Sequence, residues 1–278
     1  MNKRWGNAFG LRGLIPLTAL TLGGFMLIAG QLQSDIQAQS ATAEHTLEAL
    51  KRDLVIATRT LVDYGFMDTQ GHVSVRLDAN TYLMPWRRAP AIVEESDLMV
   101  YDLDGNAADA RGRELVRERP IHGEIYRARP DIQAVVHAHT ESLLLWTSSN
   151  IPLRPLFSSA GFIAPSVPTF QNGNAGGGVG NAEVGRGMAQ ALGQNGAVLI
   201  RGHGAVVAAP TLPSLIARAR ALNTNAQLVA QLIAMGDTPI YITPNPRSID
   251  TEPVWPGGND SREWEAYQFR FEADRLGR

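Results

Sequence analysis

The chain has 278 residues, of which 44% are hydrophobic, with a formal net charge of −2 and no cysteine. Its length allows a substantial core in one large domain, and its composition excludes a disordered chain. The weak charge and the lack of basic clusters argue against nucleic acid and toward a small-molecule partner, while the missing cysteines exclude disulfides and thiolates, so any metal must use nitrogen and oxygen ligands.

Lys3, Arg4 and Arg12 precede an apolar run from Leu14 to Ala29, and small or polar residues follow. This is the layout of a secretory signal, with cleavage expected after Ala38 or at Ala41-Thr42-Ala43. Residues 1–43 are therefore expected to direct the protein to the periplasm or outside the cell. The run is also near the length that spans a bilayer, so an uncleaved membrane anchor is the alternative, and a mistaken start codon is a third. Residues 44–278 read as one domain.

Leu47, Leu50, Leu54, Ala57 and Leu61 recur at helical spacing and predict an amphipathic helix. Gly71-His72-Val73-Ser74-Val75-Arg76, Thr81-Tyr82-Leu83-Met84 and Leu98-Met99-Val100-Tyr101 read as short strands, and Asp102 to Asn106 as a turn. Pro120 suits the first turn of a helix running to Pro130, which leaves Glu118 just before it. The apolar run Ala134-Val135-Val136 then leads into His137-Ala138-His139. Residues 151–180 read as loops and short strands, and the glycine run from Gly176 to Gly180 as a flexible loop, because it lacks the spacing of a dinucleotide fingerprint. Val184, Met188 and Leu192 mark a helix, Ala197–Ile200 and Ala205–Ala208 a strand pair with His203 between, and Leu215 to Ile233 a long helix. Trp264, Tyr267 and Phe271 give a final helix with an aromatic face. Helices flanking a mainly antiparallel sheet make a three-layer α/β/α sandwich.

Alternating side chains of a strand share one face, so His137 and His139 could grip one ion. With His203 they could fill the three protein positions of a catalytic divalent-metal site that keeps room for water or substrate. A His-x-His pair alone fits hydrogen-bonded structural histidines equally well. The third histidine and Glu118 favour the metal.

From about Leu47 to Met235 the chain resembles the class II aldolase/adducin family. The resemblance is carried by Gly71 to Arg76, by Arg117-Glu118-Arg119-Pro120-Ile121-His122-Gly123-Glu124-Ile125-Tyr126, by Arg129 to His139, and by Gly202-His203-Gly204. It implies a fold with a central antiparallel sheet, commonly a tetramer with active sites at subunit interfaces. It also implies His137, His139 and His203 as metal ligands and Glu118 as catalytic acid/base. Zinc is the expected ion, with manganese and cobalt as alternatives, since nitrogen ligands alone do not choose among them.

Sugar-phosphate enzymes of that family hold phosphate with small hydroxyl and glycine residues after an early strand and before the acid. Here those places carry Pro85-Trp86-Arg87-Arg88 and Val116-Arg117. Arginine forks match carboxylates, so Arg87, Arg88 and Arg117 are expected to hold a carboxylate, with Trp86 over a flat ring. The pattern resembles the dihydroxyphthalate decarboxylase subgroup and implies non-oxidative decarboxylation of a hydroxylated aromatic acid. His72 and His122 are further candidate substrate contacts. The alternatives are aldol cleavage of an unphosphorylated hydroxy-keto acid, dehydration or epimerisation at the same metal, and a non-enzymatic adducin-like interaction module.

Overall fold

The computed structural model of the protein describes residues 46–173, 177–243 and 259–277. The leader, its cleavage points, Gly176 and His45 lie outside the described residues. The chain divides into two compact units, Met1–Ala49 and Leu50–Arg278, and the second contains the sheet. No helix among the described residues is long and apolar enough to cross a membrane.

Helix α1 covers 46–63 and buries Leu54, Ala57 and Leu61, the stripe its periodicity predicts. Seven strands follow: β1 (His72–Arg76), β2 (Thr81–Pro85), β3 (Leu98–Asp102), β4 (Ala134–Ala138), β5 (Thr169–Phe170), β6 (Ala197–Ile200) and β7 (Gly204–Ala209). They form one sheet in the order β3-β2-β1-β4-β7-β6-β5. Every neighbouring pair is antiparallel except β5 with β6. Helices α2 (Pro120–Ala128) and α4 (Ala182–Leu192) share a core with one face through Ile121, Ile125, Met188, Val135 and Val206. Helices α3 (Glu141–Thr147) and α5 (Leu212–Ala234) pack on β7. The chain has the expected α/β architecture.

Helix α3 and the short 3-10 turns at Pro90–Ile92, Glu95–Asp97 and Ser158–Ile163 are additions to the elements that the sequence pattern predicts. Seven residues make fewer than two helical turns, too short a window for a repeating apolar stripe, so tertiary contacts decide such elements. The last helix, α6 (Asn259–Arg275), docks within its own chain: Tyr267 meets Tyr64 edge-on at 5.7 Å, and Arg59 lies 5.5 Å from the Phe271 ring centroid.

Two features place the functional elements. Central strand β4 is buried along its whole length, which explains why it reads as a continuous apolar run. Arg76 of β1 reaches across to α2, donating to the carbonyls of Tyr126, Arg129 and Ile132 and stacking 4.7 Å from the Tyr126 ring centroid. A cation at the carboxyl end of a helix satisfies orphan carbonyls and complements the dipole. This clamp fixes α2 on the sheet and with it Glu118, two residues before its first turn.

Candidate metal centre and substrate cavity

His137 pairs across strands with His72 on one side and Val206 on the other, so these side chains share a sheet face. That face also carries α2. β4 ends at Ala138, and His139 follows as the chain leaves the sheet. His203 occupies the turn between β6 and β7, where its N–H donates to the Ile200 carbonyl. Gly204 permits the close approach of that turn to β4, because a Cβ there would lie 2.5 Å from the Ala138 carbonyl oxygen.

The structure brings His137, His139, His203 and Glu118 together. Nε2 of His139 lies 3.2 Å from Nε2 of His137 and 3.3 Å from Nε2 of His203. Glu118 sets Oε2 3.2 Å from His137 Nε2 and Oε1 3.0 Å from His203 Nε2. One ligand atom from each of the four residues lies within 4.8 Å of the others. Four ligands bound tetrahedrally at zinc distances would stand about 3.3 Å apart. The Nδ1 of His137 sits 3.0 Å from the Ala205 carbonyl, which can only accept. Nδ1 therefore carries the proton, and Nε2 turns a lone pair to the cluster, as a metal-binding imidazole requires. Converging lone pairs repel unless a cation shares them, so this donor set fits a divalent ion.

Electrostatics agree. Burial and the neighbouring His137 and His203 imidazoles push His139 toward its neutral, ligating form. Burial would raise the Glu118 carboxyl, but hydrogen bonds and positive charge from His137 and His203, when those rings are protonated and hold no ion, outweigh it and keep the group well below the usual carboxylate range, and a divalent ion on the same nitrogens acts in the same direction.

A cavity of about 300 Å³ opens beside the cluster, and His72, Glu118 and His139 border it. Trp86, Arg87, Arg88 and Arg117 also line it. The three arginines differ in their surroundings. Arg87 is paired with Glu114 at 2.8 Å, and Arg88 with Asp97 at 3.4 Å. Asp97 also accepts the Trp86 indole N–H at 2.9 Å, which fixes the ring. Arg117 has no ion pair among the described residues. His122 is fully buried behind His72 and does not border the cavity.

Sequence reasoning missed Glu114, Asp97 and the glycine segment. Val179, read as part of a flexible loop, is fully buried and donates its N–H to Glu118 Oε1 at 2.7 Å. A Cβ on Gly178 would lie 2.6 Å from the same oxygen. The run of glycines is the available signal, because residues without side chains permit close approach to a carboxylate as well as to a phosphate.

This sheet topology with a histidine/carboxylate cluster at its centre defines a protein of the class II aldolase type. The chain belongs to the Class II Aldolase and Adducin N-terminal domain family, whose profile matches residues 52–230. It is 34% identical over 197 residues to the 3,4-dihydroxyphthalate decarboxylase of Arthrobacter keyseri, covering 66% of this chain and 78% of that one. It is 28% identical over 221 residues to decarboxylase tropJ of Talaromyces stipitatus, covering 69% and 83%. Among solved structures it superposes on the L-fuculose 1-phosphate aldolase of Glaciozyma antarctica with a TM-score of 0.67 at 22% identity, covering 85% of this chain and 93% of that one. The superposition shows the fold, and family membership with these relatives identifies a lyase.

Proposed function

We propose that this protein is a divalent-metal-dependent, non-oxidative decarboxylase acting on an aromatic acid with vicinal hydroxyls. The observation that carries this reading is the cavity wall beside the four-residue cluster: an indole hydrogen-bonded to Asp97 and an arginine, Arg117, with no carboxylate partner among the described residues. Relatives bearing the name 3,4-dihydroxyphthalate decarboxylase support the substrate class.

In this proposal His137, His139 and His203 hold the ion, and zinc is favoured because Nε2 of His139 stands 3.2 and 3.3 Å from the other two ring nitrogens, near tetrahedral spacing. When bound, the ion supplies Lewis acidity for negative charge on adjacent substrate oxygens. Trp86 covers the ring and Arg117 grips a carboxylate through its planar fork. Glu118, ionised at rest, takes a hydroxyl proton. The bond from ring carbon to carboxyl carbon breaks, its electron pair stays on the ring, and carbon dioxide leaves. Glu118 returns its proton to that carbon, and a proton from water restores the hydroxyl.

The proposal extends to a homotetramer, supported by the family resemblance, and to export, supported by the basic, apolar and small-residue order of residues 1–43. The test is a screen of metal-reconstituted protein against hydroxylated aromatic acids and hydroxy-keto acids. Carbon dioxide released from the aromatic acids is the expected result. Aldehyde released from the keto acids alone would replace decarboxylation by aldol cleavage.

A further inference from the structure

A line of polar groups runs back from the cavity into the core. Nδ1 of His72 lies 2.7 Å from Nε2 of His122, and Nδ1 of His122 lies 2.6 Å from Ser74 Oγ. Ser74 Oγ lies 2.7 Å from the Tyr126 hydroxyl, which donates to the Gln133 carbonyl at 3.4 Å. His122, Ser74 and Tyr126 are sealed in the core, and only His72 borders the cavity. Thr81 Oγ1 is the one buried side-chain polar atom without a partner among the described residues. The unpartnered Nε2 of His72 therefore reaches the cavity.

The far end sets the direction of the line. A carbonyl accepts and cannot donate. With the Tyr126 proton on Gln133, Ser74 donates to Tyr126, His122 donates from Nδ1 to Ser74, and His72 donates from Nδ1 to His122. The reversed order makes the same three links but turns the Tyr126 proton away from Gln133 and so gives up this fourth contact, long at 3.4 Å, in a dry interior. Because the line ends on a group that cannot pass a proton onward, it is no conduit to solvent. It selects a tautomer.

We propose that His72 presents an unprotonated Nε2 to the substrate, and that His122, Ser74 and Tyr126 are positioning residues that hold it in that form. A bare imidazole nitrogen accepts a hydrogen bond from a hydroxyl and has nothing to offer an ether. Resting on the decarboxylase reading for the substrate class, His72 then selects aromatic acids whose hydroxyl still carries its hydrogen when it meets the protein.

The experiment uses full-length, metal-loaded protein labelled with heavy nitrogen in its six histidines, a number small enough to assign. Nuclear magnetic resonance should show His72 with Nδ1 protonated and Nε2 bare. In Tyr126→Phe, which keeps the ring and removes the bond to Gln133, the His72 signals should move toward a mixture of tautomers, and Ser74→Ala should do the same. A protonated Nε2 in the unaltered protein, or no change in both variants, would overturn the assignment. In parallel, a vicinal dihydroxybenzoate and its two monomethyl ethers are titrated by calorimetry. His72→Leu should erase about tenfold of the preference for the free hydroxyl, whereas an unchanged preference would overturn the contact. Neither arm needs turnover. A correct tautomer and hydroxyl preference without carbon dioxide release would sink the decarboxylase reading and leave this one standing.

Discussion

The backbone N–H of Val179 is bonded to Oε1 of Glu118 at 2.7 Å, and this contact exists only because Gly178 has no side chain. A Cβ at Gly178 would press on the far end of a movable carboxylate, not on backbone, so Gly178→Ala should cost little stability while displacing Glu118. A misplacement near 1 Å can lower turnover about a hundredfold. We expect kcat to fall by roughly ten- to a hundredfold with bound metal and thermal midpoint almost unchanged. An unchanged kcat would show that the carboxylate position does not matter.

Replacement of His137, His139 or His203 by alanine should release most of the metal, because each removes one of three nitrogens that converge within 3.3 Å of a neighbour. Elemental analysis of purified variants reads this directly. Stripping the ion from the unaltered protein should also lower its stability, by about 2.7 kcal/mol if the ion had been present at a hundred times its Kd. Full occupancy in all three variants would refute the ligand assignment.

Arg117 should matter more for substrate than its neighbours do. Arg87 and Arg88 already face Glu114 and Asp97, whereas Arg117 has no carboxylate partner among the described residues. A charge-assisted hydrogen bond contributes about 1.5–3 kcal/mol, so Arg117→Ala should raise KM for a dicarboxylate about ten- to a hundredfold. Arg87→Ala should change it little. Equal losses for substrates with and without the second carboxylate would count against this role.

Acid should unfold the protein through His122. Burial, aided by the nearby His137, pushes its pKa down from 6.5 to about 3, with Glu118 opposing. Its folded pKa is depressed, so the unfolded chain binds the proton more readily. The stability it allows is therefore complete above pH 6.5 and is lost as pH falls from 6.5 toward 3. Between these limits the slope approaches 1.4 kcal/mol per pH unit for one group. Urea unfolding of His122→Asn across that window should show a shallower slope, and identical slopes would remove His122 from the acid response.

The parts of the site that were legible are those written locally. His137 and His139 stand two apart at the end of an apolar run, and Pro120 announced the helix that Glu118 precedes. What stayed hidden depends on chain segments that meet only after folding. Glu114 lies 27 residues from Arg87, and their pairing is a tertiary fact. His122 reads as a helix residue near Glu118; its contact with His72, 50 residues away, follows from where Arg76 clamps α2. The α3 helix is too short to announce itself by period, and Val179 gave no sign that its amide faces a carboxylate.

His137, a ligand in the proposed metal site, sits on β4, the middle of seven strands, while Trp86, Arg87 and Arg88 follow the end of β2, one place from the sheet edge. Hydrogen exchange should be slowest at the former and faster at the latter. This separation gives the scaffold its evolvability: descendants can exchange the wall that chooses the acid, residue by residue, while inheriting the ion-holding strand unaltered.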